Sequence, residues 1–402
     1  MPRGGQGFSG PLSTIAVTGI ALGVIVMVMA VSILRGFQAD IREKVSGFGG
    51  HLTVTSFTMD YTYSESPLVI DSSLRAAIGN VAGVRHVQPY ATKGGMVKTE
   101  DQIYGIMFRG VDNGYDTCFF ASCLTEGRMP NLGDTNTSNE VIVSSTIASK
   151  LGLAVGDKMR TYFWQHEGYR SRAFTVCGIY STDLSEMDEI YVVGDLRQVQ
   201  RLNDWMGEEF GGEVPVGGYE ILVDNFDRLD ATAAEVLSVL PYDMKLTSIK
   251  EAHPSLFAWL DLLNTNIALI LTIMCLVSAV AIVSALLIMI FEKSSTIGLL
   301  KALGAMSVSV RRTFLLKTST LILKGILIGD AIALLLSYAQ YHWQIIRLDP
   351  ESYSMTHVPV EINPSTYLLI SVGTLVVCFA ALLLPATYIS KISPARTMRI
   401  ER

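Results

Sequence analysis

Charge is scarce in this chain, and so are the side chains that hold metals or form bridges. Asp, Glu, Lys and Arg make up 17% of the 402 residues, where ordinary soluble domains carry about 25%. Half of the residues are hydrophobic and the mean hydropathy is +0.38, which excludes a uniformly water-soluble domain. Five cysteines, irregularly spaced, are too few for a disulfide framework. Cys118, Cys123 and Cys177 lie in a polar middle region, Cys275 and Cys378 in apolar runs. Free thiols are the simpler expectation, with a Cys118–Cys123 bridge left open. There are six histidines, none in HExxH spacing, and no Gly-rich loop ends in Lys followed by Ser or Thr. These absences remove the familiar zinc-hydrolase and nucleotide-binding motifs. No catalytic, cofactor or metal site is expected.

The charge that is present is unevenly placed. Residues 38–264 hold 31 acidic and 18 basic residues, whereas the two flanks together hold 6 and 13. So acidic a middle argues against a nucleic-acid surface, which needs Lys and Arg to neutralise phosphates. The flanks carry the apolar runs. Thr14–Leu34 spans 21 residues without a charge, enough at 1.5 Å per residue to cross a hydrocarbon core of about 30 Å. Its length, and the Arg35-Gly36-Phe37 that follows, favour a retained helix over a cleaved signal peptide. Asn266–Ile290 and Thr366–Ile389 are also uncharged, while Leu315–Ala339 has Lys317, Lys324 and Asp330 within it.

The expected architecture is therefore mixed. Four transmembrane helices, one within residues 1–37 and three within 265–402 (about 266–290, 315–339 and 366–389), carry a large domain, 38–264, inserted between helices 1 and 2. Short loops orient it. Lys293, Lys301, Arg311 and Arg312 lie between the second and third runs, and Lys391, Arg396, Arg399 and Arg402 follow the fourth. Such excesses favour the cytoplasm, which puts both termini inside and the inserted domain outside. Arg35 and Arg42 oppose this, but long translocated segments obey the rule poorly, and both side chains could snorkel to the headgroups. Gly19 and Gly23 form a small-residue face in the first run that permits close helix contact, including dimerisation.

The inserted region reads as α/β. His51–Thr55, Ile103–Arg109, Glu140–Val143, Arg172–Ile179 and Tyr219–Val223 show the β-branched and aromatic pattern of strands. Ser72–Ala77, Ser145–Lys150, Asp195–Met206 and Arg228–Leu240 read as helices between them, and two subdomains are expected. Loops Gly127–Asn139 and Gly207–Gly218 read as surface segments. Glu186, Asp188 and Glu189 are read as a solvated acidic turn rather than a metal patch, and His253 as a boundary residue.

Phe291–Ala305, after the second run, is too short and polar to span. Ile297, Leu300 and Leu303 or Gly304 recur on one helical face, with Glu292, Lys293 and Lys301 as polar contacts. By itself this fits either an interfacial anchor or a docking helix. FEKSSTIGLLKALGA (291–305) and the tail LPATYISKISPARTMRIE (384–401) resemble ATP-binding-cassette permeases of the FtsX/MacB class, and within it the lipoprotein-releasing LolC/LolE family. SILRGF (32–37), IMFRGVD (106–112), EVIVSSTIASKLGLAVGD (140–157), GIYSTDLSEMDEIYV (178–192), WLDLLNTN before the second run and HVPVEINP (357–364) match more weakly. An N-terminal amphipathic helix, usual in that family, is not matched by the Gly-rich residues before the first run, so either that helix is absent or the start of the chain is misassigned.

The resemblance implies a membrane-embedded permease of the bacterial inner membrane that binds no cofactor itself. ATP would be used by two partner ATPase subunits, and the permease would pair with a second protomer, identical or related. Residues 292–305 would be the coupling segment, with Glu292, Lys293, Gly298, Lys301 and Gly304 at matched positions and glycines allowing close approach. Cargo would be a lipoprotein passed to a periplasmic carrier, its acyl chains moving along a path that Val24, Val28, Ile273 and Val277 could line. Export of another amphiphile, mechanotransmission to an envelope enzyme, and a non-transporting scaffold or receptor are the alternatives. Asp330, costly in a membrane, is either part of a gate or bonded to Ser or Thr across the bundle.

Overall fold

Three of the long helices of this chain outrun the apolar stretches that mark them. The computed structural model describes residues 9–57, 66–99, 102–133, 136–165, 168–205, 214–349 and 355–386. The family-like tail beyond Ala386, the end of the fourth run at Ile389, most of the loop Gly207–Gly218 and the first eight residues lie outside them. Two compact units are formed: Met1–Ala39, Ala258–Arg347 and His357–Arg402 make one, and Asp40–Phe257 with Leu348–Thr356 the other.

The first unit is helical. Helices α1 (Ser9–Gly49), α9 (Pro254–Glu292), α11 (Ser307–Trp343) and α12 (Pro364–Ala386) are each long and apolar enough to cross a membrane, and the short α10 (Ser294–Ala302) lies between α9 and α11. Hydropathy marks only the part suited to lipid, whereas helical hydrogen bonding continues through polar sequence, hence the longer elements. Ile20, Val24 and Val28 of α1 pack with Ile282 and Leu286 of α9, Ile322 and Ile326 of α11, and Ile370 and Cys378 of α12. Glycine sets two of these contacts. A Cβ at Gly325 or Gly329 would lie 2.9 Å from Ile20 or Val24, so α11 approaches α1 through a Gly-xxx-Gly face. Gly19 and Gly23 face Ala281 and Ser278 of α9. The small-residue face read as a dimerisation candidate is thus used inside the chain.

The second unit contains α1's last turns, where Ile41, Val45 and Phe48 are buried at helical spacing. Its strands are β1 (Leu52–Ser56), β2 (Val84–Lys98), β3 (Ile103–Val111), β4 (Leu124–Gly127), β5 (Glu140–Ser144), β6 (Lys158–Gln165), β7 (Gly168–Tyr180), β8 (Tyr191–Asp195), β9 (Gly218–Val223) and β10 (Met244–Ser248). Helices α2 (Ser72–Gly79), α3 (Cys118–Ser122), α4 (Ser145–Leu151), α5 (Ser185–Asp188), α6 (Leu196–Leu202), α7 (Leu229–Val239) and α8 (Ile249–Ala252) interleave with them. The sheet order is β10-β1-β9-β2-β3-β8-β5-β7-β4, and β6 joins β2 to β7. Strands β2, β3, β8, β5, β7 and β6 consequently close into a ring, and β9, β1 and β10 extend as an open wing from β2. Phe108, Phe163 and Phe174 fill the ring, their centroids 4.9–6.2 Å apart. A Cβ at Gly95 would lie 2.8 Å from the Phe163 ring, so glycine there lets β2 pass over it.

Ring and wing are joined by a buried ion pair. Arg109 on β3 donates to Glu220 on β9 through Nη2, and Gln88 on β2 donates to the other carboxylate oxygen at 3.0 Å. The guanidinium sits against the rings of Phe48 and Tyr90, 5.1 and 5.0 Å from their centroids. Burial opposes its charge, but the Glu220 carboxylate outweighs that and raises the Arg109 pKa.

Candidate functional site

Between α9 and α11 the chain must reverse within a few residues, and α10 makes that turn. It ends in a Schellman motif: Ala305 N–H donates to Leu300 C=O at 2.9 Å and Gly304 N–H to Lys301 C=O at 3.1 Å. Gly304 has φ +93°, a conformation side chains resist. A Cβ there would meet nothing within 4 Å, so this glycine is required by the turn itself. Ile297 is 1% exposed and belongs to the helical core beside Ile290 and Val310, and Gly298 is buried next to it. Leu300 and Leu303 are 43% and 77% exposed, as are their neighbours Phe291, Leu299 and Met306 to similar degrees. The stripe read from spacing therefore divides, Ile297 holding α10 to the bundle and Leu300 and Leu303 facing outwards. Glu292 and Lys293 pair loosely at 3.8 Å.

Asp330 lies on α11 opposite α12. Ser371 Oγ donates to its Oδ2 at 2.6 Å, the cross-bundle hydroxyl bond that was one of its two readings. Its Oδ1 is buried and has no hydrogen-bond partner among the described residues. Both residues line a groove of about 460 Å³ between α11 and α12, walled by Leu323, Leu327, Leu334, Leu368 and Val372. Lys317 and Lys324 are exposed on α11.

Val24 and Val28 are fully buried in the helical core, whereas Ile273 and Val277 are about half exposed on α9. These four residues do not share one surface. The segment 357–363 runs beside α1: Glu361 N–H donates to Ser32 C=O at 3.1 Å, and a Cβ on Gly36 would lie 2.7 Å from Pro359 O. Arg35, expected to snorkel, donates to Thr366 Oγ1. Arg42 instead lies over the Phe226 ring at 4.6 Å and 3.8 Å from Asp227.

In the inserted domain the acidic turn differs from its reading. Asp188 is buried, accepting from Thr182 N–H at 3.0 Å and Thr182 Oγ1 at 2.7 Å, and Glu189 pairs with Lys150 at 3.0 Å. Burial raises the Asp188 pKa, and the Thr182 bonds oppose this. No metal-holding cluster occurs among the described residues. All five thiols are free, Cys118 and Cys123 flanking opposite ends of α3. A feature that escaped notice in the sequence is the β6–β7 hairpin, whose Trp164 and Tyr169 are two-thirds exposed and 6.2 Å apart by ring centroids. The alternation in KMRTYFWQ was its signal, with Met159, Thr161 and Phe163 facing in.

Residues 13–239 match the family described as the MacB-like periplasmic core domain, and residues 268–394 the FtsX-like permease C-terminal domain. Among curated proteins, the lipoprotein-releasing system transmembrane protein LolC of Xylella fastidiosa (strain 9a5c) is 22% identical, covering 98% of this chain and 95% of that one. LolC of Neisseria meningitidis serogroup B is also 22% identical, over 98% and 96%. An uncharacterised ABC transporter permease of Methanocaldococcus jannaschii is 24% identical, over 97% and 94%. Among solved structures, the periplasmic region of MacB from Actinobacillus actinomycetemcomitans is 12% identical with a TM-score of 0.35, covering 54% of this chain and 97% of that one.

Proposed function

Because the chain belongs to the permeases with a MacB-like periplasmic core domain and an FtsX-like C-terminal domain, we propose that it extracts lipoproteins from the outer leaflet of the inner membrane. It would work as one of two permease protomers driven by two ATPase subunits and hand its cargo to a periplasmic carrier. The observation that carries this reading is the end-to-end match with lipoprotein-releasing LolC proteins, which leaves no large part of this chain unaccounted for. Loop charges support cytoplasmic termini and a cytoplasmic α10.

In this arrangement the ATPase seats against Phe291, Leu299, Leu300, Leu303 and Met306, and Ile297 passes the push into the helical core. Chain reversal at Gly304 keeps that surface turned outwards. Of the four residues named for an acyl path, Ile273 and Val277 are available to a chain in lipid, and Val24 and Val28 would act behind them as packing. The exposed Trp164 and Tyr169 of the β6–β7 hairpin offer the carrier an apolar contact on an otherwise acidic domain.

The test is reconstitution of the full complex in proteoliposomes with a diacylated and a triacylated lipoprotein. ATP-dependent appearance of cargo bound to a soluble carrier supports the reading. Vigorous ATP turnover with no transfer of either lipoprotein would overturn lipoprotein release and leave export of another amphiphile as the alternative.

A further inference from the structure

The groove between α11 and α12 contains a carboxyl whose hydrogen bonding is incomplete. Asp330 Oδ2 accepts from Ser371, while Oδ1 is buried without a donor among the described residues. Lys324, six residues earlier on the same helix, lies outside the i+3 and i+4 neighbourhood, and the side-chain partner of Asp330 among the described residues is the Ser371 hydroxyl rather than a basic group. A carboxyl in a membrane span is costly, and such groups face protein, a cavity or an opposite charge.

Three kinds of occupant suit a groove in lipid differently. An acyl chain would fill it but present only CH₂ groups to the Asp330 carboxyl that lines it, giving that group no polar partner or counter-charge. A peptide without secondary structure would bring unsatisfied backbone groups into hydrocarbon. A helix satisfies its own backbone and projects single side chains. From Pro364 to Leu375 the groove is about 16 Å long, three helical turns. Its walls, Leu323, Leu327, Leu334, Leu368 and Val372, are exposed apolar ridges of the kind between which a neighbouring helix packs.

We propose that this groove receives a transmembrane helix of a partner that brings a Lys or Arg near mid-span to Asp330. Charge complementarity selects the basic residue, and the apolar ridges on either side of Asp330 hold the rest of the helix. The site is distinct from α10 and from the α9 surface assigned to cargo.

The probe is a synthetic leucine-rich transmembrane helix with one central Lys, labelled for energy transfer to the full-length protein in liposomes. Leu-centred and Glu-centred helices of equal length serve as comparisons. The Lys-centred helix should associate at least tenfold more strongly than either. Asp330→Asn should remove that preference, and Leu368→Trp, which fills the groove while leaving Asp330 intact, should weaken association. Equal association of all three helices, or a Lys preference that survives Asp330→Asn, would overturn the proposal in favour of a lipid-filled furrow. A Glu-centred helix binding as well as the Lys-centred one would overturn the charge complementarity.

Discussion

Replacing Glu220 by Gln tests how the inserted domain is held together. Glu220 is 1% exposed and Arg109 4%, so the substitution leaves a guanidinium in the interior without its counter-charge. Gln keeps the shape but loses the charge and turns its N–H₂ towards either Arg109 or Gln88, both of which donate to the native carboxylate. Losing a neutral hydrogen bond would cost about 1 kcal/mol, whereas removing one member of a buried ion pair costs about 3–5 kcal/mol. For a unit of this size, that corresponds to a fall in Tm of roughly 6–20 °C at about 2–4 °C per kcal/mol. Thermal melting of the purified protein, with hydrogen exchange read on β3 and β9, measures it. The double variant Arg109→Met with Glu220→Leu should recover most of the loss, because no charge is then stranded. A loss below about 1 kcal/mol for Glu220→Gln, or a double variant no better than the single one, would refute the reasoning.

Three further outcomes are expected. Burial, with Arg85 adding to it, pushes the His51 pKa down to about 4. The unfolded chain, with the ordinary value near 6.5, then binds the extra proton between those limits. Stability is therefore full above pH 6.5 and falls by up to about 3 kcal/mol as pH drops to 4, a slope that His51→Gln should abolish in urea titrations. Gly325→Leu and Gly329→Leu should each cost about 1–3 kcal/mol by forcing α11 off α1, while Gly373→Leu, where a Cβ meets nothing within 4 Å, should be tolerated. Detergent-resistance assays compare the three. Gly304→Ala should destabilise the turn after α10 by about 1–2 kcal/mol and lower permease-stimulated ATP turnover, with Gly304→Asn retaining more of it.

Much of the architecture was legible because lipid and sheet each impose a strong pattern. The four apolar runs mark the four long helices, and the strands read at His51–Thr55, Ile103–Arg109, Glu140–Val143, Arg172–Ile179 and Tyr219–Val223 are β1, β3, β5, β7 and β9 within a few residues. Asp195 was placed inside a helix and is its N-cap, accepting from Arg197 N–H. Strand β2 was not legible: Pro89, Gly94 and Gly95 are turn signals locally, and only pairing with β9, β3 and β6 overrides them. The extension of α1 to Gly49 was hidden by its charges, although Ile41, Val45 and Phe48 kept the helical period.

The site was legible in position more than in orientation. Spacing grouped Ile297 with Leu300 and Leu303, but α9 and α11 pack against Ile297 and leave the other two outside. Gly304 was legible as a special position, and its reason, a positive φ, is written in the backbone. Gly325 and Gly329 carried a readable signal four residues apart that went unused. The Arg109–Glu220 pair joins residues 111 positions apart, a separation that no local pattern marks.

The most direct test of the central claim is ATP turnover by the partner ATPase in the presence of Leu303→Glu, alone and with Leu300→Glu. Leu300 on α10 and Leu303 at its C-terminal cap are both exposed and outside the helical core, so folding should survive while the docking surface is lost. The account predicts that the ATPase no longer co-purifies with the permease and that its turnover falls to the level seen without it. Undiminished co-purification and stimulation with both substitutions present would contradict it.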